Sequence, residues 1–427
     1  MVAADTQQDA RDRDVAASCP RARALQQQYD DLFQSSDLAL IGRVFHAGSA
    51  SRANVSYAGP PGPEAGTVAA RGDMINLGSS DYAGLNRHPR VIKAASEALH
   101  AFGNSSTGGR LLNGTTELHV KLEHKLAEFL GVEDAITYNS GYCANLTTFS
   151  TLCAPGDVVV SDILNHQSIV DGLALGGAES VTYLHASMRG TARSVETILQ
   201  RLPRDRRKFI VTDGVFSMDG DIAPLDEIVS LANEYNAFVI VDDAHATGAL
   251  GPCGRGSVAH FGLEDQVDVI TGVLSKGLPG IGGFAAGPKR TIDLLRYGSH
   301  GYIFSTALPP SVVAGLIEAI DILRESPDVQ ERLHRNVKHF RDGVVALGFD
   351  VLGSQSAVIP LPMPDAATTL KFARMLHEDG VYVNAAIYPA VSPLRPRIRV
   401  NVNASLDAAD IDTALRSIEQ CVASLLR

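Results

Sequence analysis

The run VIVDDAHATGALGPCGRG, Val239 to Gly256, ends an apolar strand on two carboxylates and sets a histidine three residues beyond the first. The β-branched residues Val239, Ile240 and Val241 favour an extended chain buried on both faces. Just upstream, Leu225, Ile228, Val229, Leu231, Ala232 and Tyr235 share one face of a helix. Downstream, VDVITGVLSKGLPGIGGFAAG, Val267 to Gly287, reads as a strand over Val267 to Thr271, a glycine-rich loop holding Lys276, and a further strand. The alternation continues towards the amino terminus. Strands are predicted at Asp134 to Tyr138, Asp157 to Val160 and Phe209 to Thr212, with helical patterns between them. Such an order predicts an α/β fold, a mostly parallel sheet with helices on both faces. Beyond Pro309 a long helical stretch, short strands near Val351 to Pro360 and Arg397 to Val402, and a final helix predict a second, smaller α+β unit. Residues 1–22 are polar, Leu25 to Phe45 fit an amphipathic helix and turn, and AGPPGPEAG (Ala58 to Gly66) reads as a linker. The expected division is an amino-terminal extension, 1–73, a large domain, 74–308, and a small carboxy-terminal domain, 309–427.

Composition narrows the function classes. The formal charge of −11 over 427 residues argues against a surface built to displace counterions from nucleic acid. No apolar run approaches the ~18 residues of a membrane span, and the acidic, polar start MVAADTQQDARDRD is unlike a secretory signal. The five cysteines, at 19, 143, 153, 253 and 421, are widely spaced and form no CxxC or metal-ligand pattern. A cytoplasmic protein with reduced thiols and no metal is expected.

The reactive side chains share one position in the pattern. Ser140, His166, Ser217, Asp242, His245 and Lys276 each fall at or just past the end of a predicted strand. Open α/β sheets bind ligands outside the carboxyl ends of their strands, so these residues can converge on one site. Taken singly they are weak signals: a loop lysine is most often solvated, and an aspartate at a strand end most often holds backbone. GIGGFAAG does not have the GxGxxG spacing of a nicotinamide enzyme, and no P-loop or HExxH motif occurs.

Together the ordered motifs resemble the α-oxoamine synthases, fold type I enzymes dependent on pyridoxal 5'-phosphate (PLP). They are NLGSSDYAGLNRHP (Asn76 to Pro89), GGRLLNGTTELHVKLE (Gly108 to Glu123), NSGYCAN (Asn139 to Asn145), SDILNHQSIVDG (Ser161 to Gly172), TDGVFSMDGDIAPL (Thr212 to Leu225), VDDAHATG (Val241 to Gly248), the Lys276 loop, GYIFSTALPP (Gly301 to Pro310) and PRIRVNV (Pro396 to Val402). The resemblance implies a large domain with a mostly parallel, seven-stranded sheet. It implies that Lys276 carries PLP as a Schiff base, the role only a primary amine can fill. It further implies Asp242 against the pyridinium nitrogen, His245 at the ring hydroxyl, His166 over the ring face and at the substrate, and Ser217 near the ring oxygen. The backbone amides of Gly141 and Tyr142 would hold the phosphate at a helix start, with Ser275 nearby and Thr306 reaching in from a partner subunit. Arg399 would clamp the amino-acid carboxylate, a task suited to a guanidinium, with Ser80 and Asp81 beside the substrate. Arg395 and Arg397 lie close by, and His166 could equally be a satisfied loop histidine.

The sequence also departs from the family. Val273 stands where a phosphate-binding threonine is usual, leaving Thr271 or Ser275 to compensate, or one hydrogen bond fewer. Asp213 replaces a glutamate, Ser105 a glycine, and NASLD (Asn403 to Asp407) lacks a histidine. The implied reaction is a decarboxylative Claisen condensation of glycine, alanine or serine with an acyl thioester on CoA or an acyl carrier protein, in a homodimer. The alternative is another fold type I PLP enzyme such as an aminotransferase. A noncatalytic partner subunit is a further reading, against which Lys276, Asp242 and His245 argue.

Overall fold

The computed structural model describes residues 43–57 and 68–425. The expectations for 1–22 and 58–66, and most of the helix expected over 25–45, lie outside these residues.

In chain order the strands and helices are β1 (Arg43–Gly48), β2 (Arg52–Tyr57), β3 (Val68–Asn76), α1 (Pro89–Phe102), α2 (Glu117–Leu130), β4 (Asp134–Tyr138), α3 (Gly141–Leu152), β5 (Val158–Asp162), α4 (Gln167–Gly176), β6 (Glu179–Tyr183), α5 (Val195–Arg201), β7 (Lys208–Asp213), α6 (Leu225–Tyr235), β8 (Ala237–Asp242), α7 (Ser257–Phe261), β9 (Val269–Ser275), β10 (Pro279–Gly287), α8 (Lys289–Gly298), α9 (His300–Ile303), α10 (Pro310–Glu325), α11 (Asp328–Ala346), β11 (Val358–Pro362), α12 (Ala366–Glu378), β12 (Val381–Tyr382), β13 (Asn384–Ala386), β14 (Arg397–Asn401) and α13 (Ala408–Leu425).

Seven strands form the main sheet in the order β4-β10-β9-β8-β7-β5-β6. Only β10 runs antiparallel, against β4 and β9. Strands β5 and β7 are buried along their whole length, around the apolar runs Val158 to Val160 and Phe209 to Val211. Register levels the strand ends: Asp213 pairs with Asp242, and Asp242 with Thr271. The loops that follow β5, β7, β8 and β9 therefore leave the sheet along one edge.

Two smaller sheets complete the fold. One is β1-β2-β3-β12, the other the antiparallel β11-β14-β13. Strand β3 runs through the expected 73/74 boundary and pairs in parallel with β12, Ile75 opposite Val381. The amino-terminal strands are thus part of the carboxy-terminal unit's framework. Helix α10, assigned to the small unit from sequence, packs on α1 and α2.

Local signals explain most element boundaries and three departures. Ser140 caps α3, accepting from the Cys143 amide at 3.0 Å. Phe45, expected at a helix end, lies in β1. The strand expected from Val351 starts only at Val358, because Asp350 accepts from the Leu352 amide in a turn with Leu352 and Gly353 at positive φ. Strand β9 starts at Val269 rather than Val267, whose amide bonds back to Leu263. Among the described residues no helix is long and apolar enough to cross a membrane.

Candidate active site

Lys276 is the first residue past β9. Its loop lies on the loop after β8: a Cβ on Gly277 would fall 2.4 Å from the Thr247 carbonyl oxygen, so only glycine permits the approach. That approach sets Lys276 Nζ 2.8 Å from His245 Nε2. His245 Nδ1 in turn lies 2.7 Å from the hydroxyl of Tyr82, a fully buried residue. Burial lowers the lysine to about 8, with Asp242 opposing the shift. Burial, reinforced by Lys276 and Arg399, holds His245 well below the usual imidazole range. A neutral imidazole carries one N–H. When an ammonium at 276 donates to Nε2, the ring proton sits on Nδ1 and is donated to Tyr82.

The paired aspartates divide their work. Asp242 Oδ2 accepts from Asn145 Nδ2 at 2.6 Å, and Oδ1 from the Ala244 amide at 3.0 Å, leaving its charge beside Lys276. Asp243 turns away to accept from the Ser257 amide and hydroxyl, and burial pushes it up to about 7. Asp243 is the structural partner; Asp242 belongs to the site. Asp213 is buried beside Asp242 and accepts from the His166 amide at 3.2 Å. Burial, with Asp242 next to it, raises its carboxyl well above the usual range.

His166 caps α4 and lies with Nδ1 2.7 Å from Ser168 Oγ, near enough to Asp242 and Lys276 to feel both charges. Tyr142 meets its ring edge-on at 6.4 Å and donates its hydroxyl to Asp171. The Ser217 carbonyl accepts from Arg399 Nε at 2.6 Å. Of the three arginines, Arg397 is buried on Asp219 and the Met218 carbonyl, and Arg395 is exposed. Arg399 alone acts on Tyr82, His245 and Lys276 together. His166, Ser217 and Met218 line a cavity of about 680 Å³ that runs past Leu164 and Val391.

The other expected residues are bonded elsewhere or exposed. Ser80 lies in the wall, bonded to Asn401 and Tyr82. Asp81 accepts from the amides of Leu85 and Asn86, which turns its carboxylate into its own loop. Ser275 is exposed at the end of β9. Thr306 is exposed, its backbone bridged to Gly109 and its carbonyl held by Asn139. Thr271 cannot stand in for the missing threonine, because its buried hydroxyl donates to Asn145 Oδ1 at 2.6 Å.

Tyr82, Asn145 and Ser168 were not singled out from sequence. Tyr82 and Asn145 lie inside quoted motifs, yet their partners are 163 and 97 residues away. No local pattern carries such contacts.

Comparison with known proteins agrees with this geometry. The aminotransferase class I and II profile matches residues 72–418. The 8-amino-7-oxononanoate synthase of Thermoanaerobacter pseudethanolicus is 42% identical over 84% of this chain and 90% of its own. The chain belongs to the α-oxoamine synthases, within the aminotransferase class I and II family. The Bacillus subtilis 8-amino-7-oxononanoate synthase 1 is 41% identical over 82% of this chain and 89% of its own. The serine palmitoyltransferase of S. paucimobilis, solved with a PLP–myriocin conjugate, superposes with TM-score 0.86 at 33% identity, over 97% of this chain and 99% of that one. This α-oxoamine synthase is thus a PLP-dependent acyltransferase, condensing an amino acid with an acyl thioester with loss of carbon dioxide.

The residues present fit the cofactor. A desolvated amine and a carboxylate face each other at the sheet edge. At the start of α3 the amides of Gly141 and Tyr142 have no intrahelical acceptor. A Cβ on Gly141 would fall 2.0 Å from Val273 Cγ1, so glycine keeps that helix end open while valine walls it.

Proposed function

We propose that Lys276, Asp242, His245 and His166 form the catalytic group of this α-oxoamine synthase, with Arg399 and Ser80 receiving the amino acid. The observation that carries the reading is the buried chain from Lys276 through His245 to Tyr82, set against Asp242. Bound there, PLP supplies an electron sink for the carbanion left when the amino acid loses its α-proton. Lys276, lowered to about 8, has an accessible neutral fraction near physiological pH and acts as the base. His245 takes or gives a proton at Nε2 while Tyr82 fixes its other nitrogen. Asp242, held by Asn145 and Ala244, keeps a cationic ring nitrogen protonated. The Gly141 and Tyr142 amides hold the phosphate, with Ser275 and a partner-supplied Thr306 as further donors. Arg399, oriented by the Ser217 carbonyl, clamps the carboxylate, and His166 closes the face above the reacting carbon.

The amino acid is glycine, alanine or serine, and the acyl donor rides on CoA or an acyl carrier protein. The assembly is a cytoplasmic homodimer. Leu112 and Phe304, 84% and 80% exposed, lie within three residues of the Gly109–Thr306 bridge along the chain and fit burial against a second copy. A matrix of the three amino acids against acyl-CoA and acyl-carrier donors, scored by thiol release and product mass, tests the reading. Thiol and carbon dioxide in equal amounts are expected. A keto acid without thiol would make the chain an aminotransferase.

A further inference from the structure

A second charged cluster sits on the same sheet edge, at the far strand β6, four strands over from β9 and Lys276. His185 follows β6 and lies between two carboxylates. Nδ1 is 3.2 Å from Asp162 Oδ1, and Nε2 is 2.9 Å from Asp221 Oδ2. The ring packs edge-on against Phe216, centroids 4.4 Å apart at 85°. A neutral imidazole has one N–H, so one nitrogen would set a lone pair against a carboxylate. Only the imidazolium satisfies both sides. Burial disfavours that charge, yet the two aspartates prevail and raise the ring to about 10. Nearby Asp219 and Arg397 pair with each other, and the exposed Arg395 is the other charged residue lining the same cavity.

Each aspartate governs a loop of the active site. Asp162 ends β5 and accepts from the Leu164 amide at 2.8 Å and the Ala186 amide at 3.1 Å, forming the turn that leads into His166. Asp221 closes the loop that holds Ser217, its carbonyl accepting from the Phe216 amide at 3.1 Å. Ser217 in turn orients Arg399. The other carboxylate oxygen of Asp221, Oδ1, is buried with no partner, so His185 is that side chain's one anchor among the described residues.

We propose that His185 is a positioning residue: as the cation between Asp162 and Asp221 it fixes the His166 turn against the Ser217–Arg399 loop, without touching substrate. The proposal rests on the reading that those loops frame the amino-acid site. Its test separates the two. Amide hydrogen exchange on the protein without cofactor compares wild type with His185→Ala. Faster exchange is expected over 163–168 and 214–222, with β10 unchanged. In the loaded enzyme, kcat/KM for the amino acid falls by about 10- to 100-fold, the cost of a small misplacement, while the visible cofactor band is retained. Millimolar imidazolium, entering the cavity of about 310 Å³ that His185 lines, restores part of the rate. His185→Gln, neutral but with one amide donor group, falls between the two, and is read by the same criteria if the alanine variant does not fold. Wild-type exchange in both segments, or a uniform rise through β7, β8 and β9, overturns the proposal. Wild-type protein that releases no thiol from any donor overturns the functional reading instead, and the exchange result still decides on His185.

Discussion

Two cavities of similar size open on opposite edges of the main sheet, about 680 Å³ at the carboxyl ends of β5 and β7 and about 610 Å³ at the amino ends of β8 and β9. The first touches His166 and Ser217 and adjoins Arg399, bonded to the Ser217 carbonyl. The second is lined by no lysine, histidine or arginine, and three of its four acids are spent on structure. Asp268 accepts from the Val239 amide at 2.7 Å, Glu133 from the Lys289 amide at 2.7 Å, and Glu264 pairs with Arg255. Volume therefore does not distinguish the edges. What distinguishes them is whether buried polar groups complete a loop's backbone bonding or remain aimed at each other across loops.

The contrast is broken most severely at Lys276. Lys276→Ala should cost about 10⁴-fold or more in turnover and remove the visible imine band, with far-ultraviolet circular dichroism unchanged; a surviving band would assign the imine to another lysine. Asp242→Asn removes the charge and leaves one acceptor oxygen for the two donors, Asn145 and the Ala244 amide, and kcat should fall about 10²- to 10³-fold; near-normal turnover would separate Asp242 from the ring. Arg399→Ala should raise the amino-acid KM by roughly 10- to 100-fold, the equivalent of a charged hydrogen bond of about 1.5–3 kcal/mol, with the thioester KM unaffected.

Smaller effects sharpen the comparison. His185 is raised from 6.5 to about 10, so its stabilising contribution is complete below pH 6.5 and is lost as pH rises through about 10. The denaturation midpoint gap between wild type and His185→Ala should therefore narrow across that window; a gap that widens with pH would mean the ring is neutral in the fold. At the opposite edge, Asp268→Ala strands the Val239 amide and should cost about 1–3 kcal/mol of stability, with kcat/KM per folded molecule within about twofold of wild type. A larger loss of activity there would erase the difference between the edges.

Much of this was legible in sequence because it is written locally. Val239 to Asp242 and Phe209 to Thr212 are apolar runs that only a covered sheet can bury, and loops at their ends place Asp242, His245 and Ser217 on one edge. What was not legible depends on contacts between distant segments. Strand β3 pairs with β12, and the Tyr82 hydroxyl finds His245, only once segments far apart in the chain are packed. Asp81 resembled a substrate contact because its motif is continuous with Ser80, but two nearby amides claim its carboxylate. Thr271 was a candidate phosphate donor until the fold aimed it at Asn145.

The central claim is that the amine of Lys276 is the group that holds the cofactor, opposite Asp242. Borohydride reduction of the PLP-loaded protein, followed by peptide mass mapping, tests it directly. A single pyridoxyl adduct on the peptide containing Lys276 is the predicted result. An adduct confined to any other lysine, or none at full cofactor occupancy, would contradict the account.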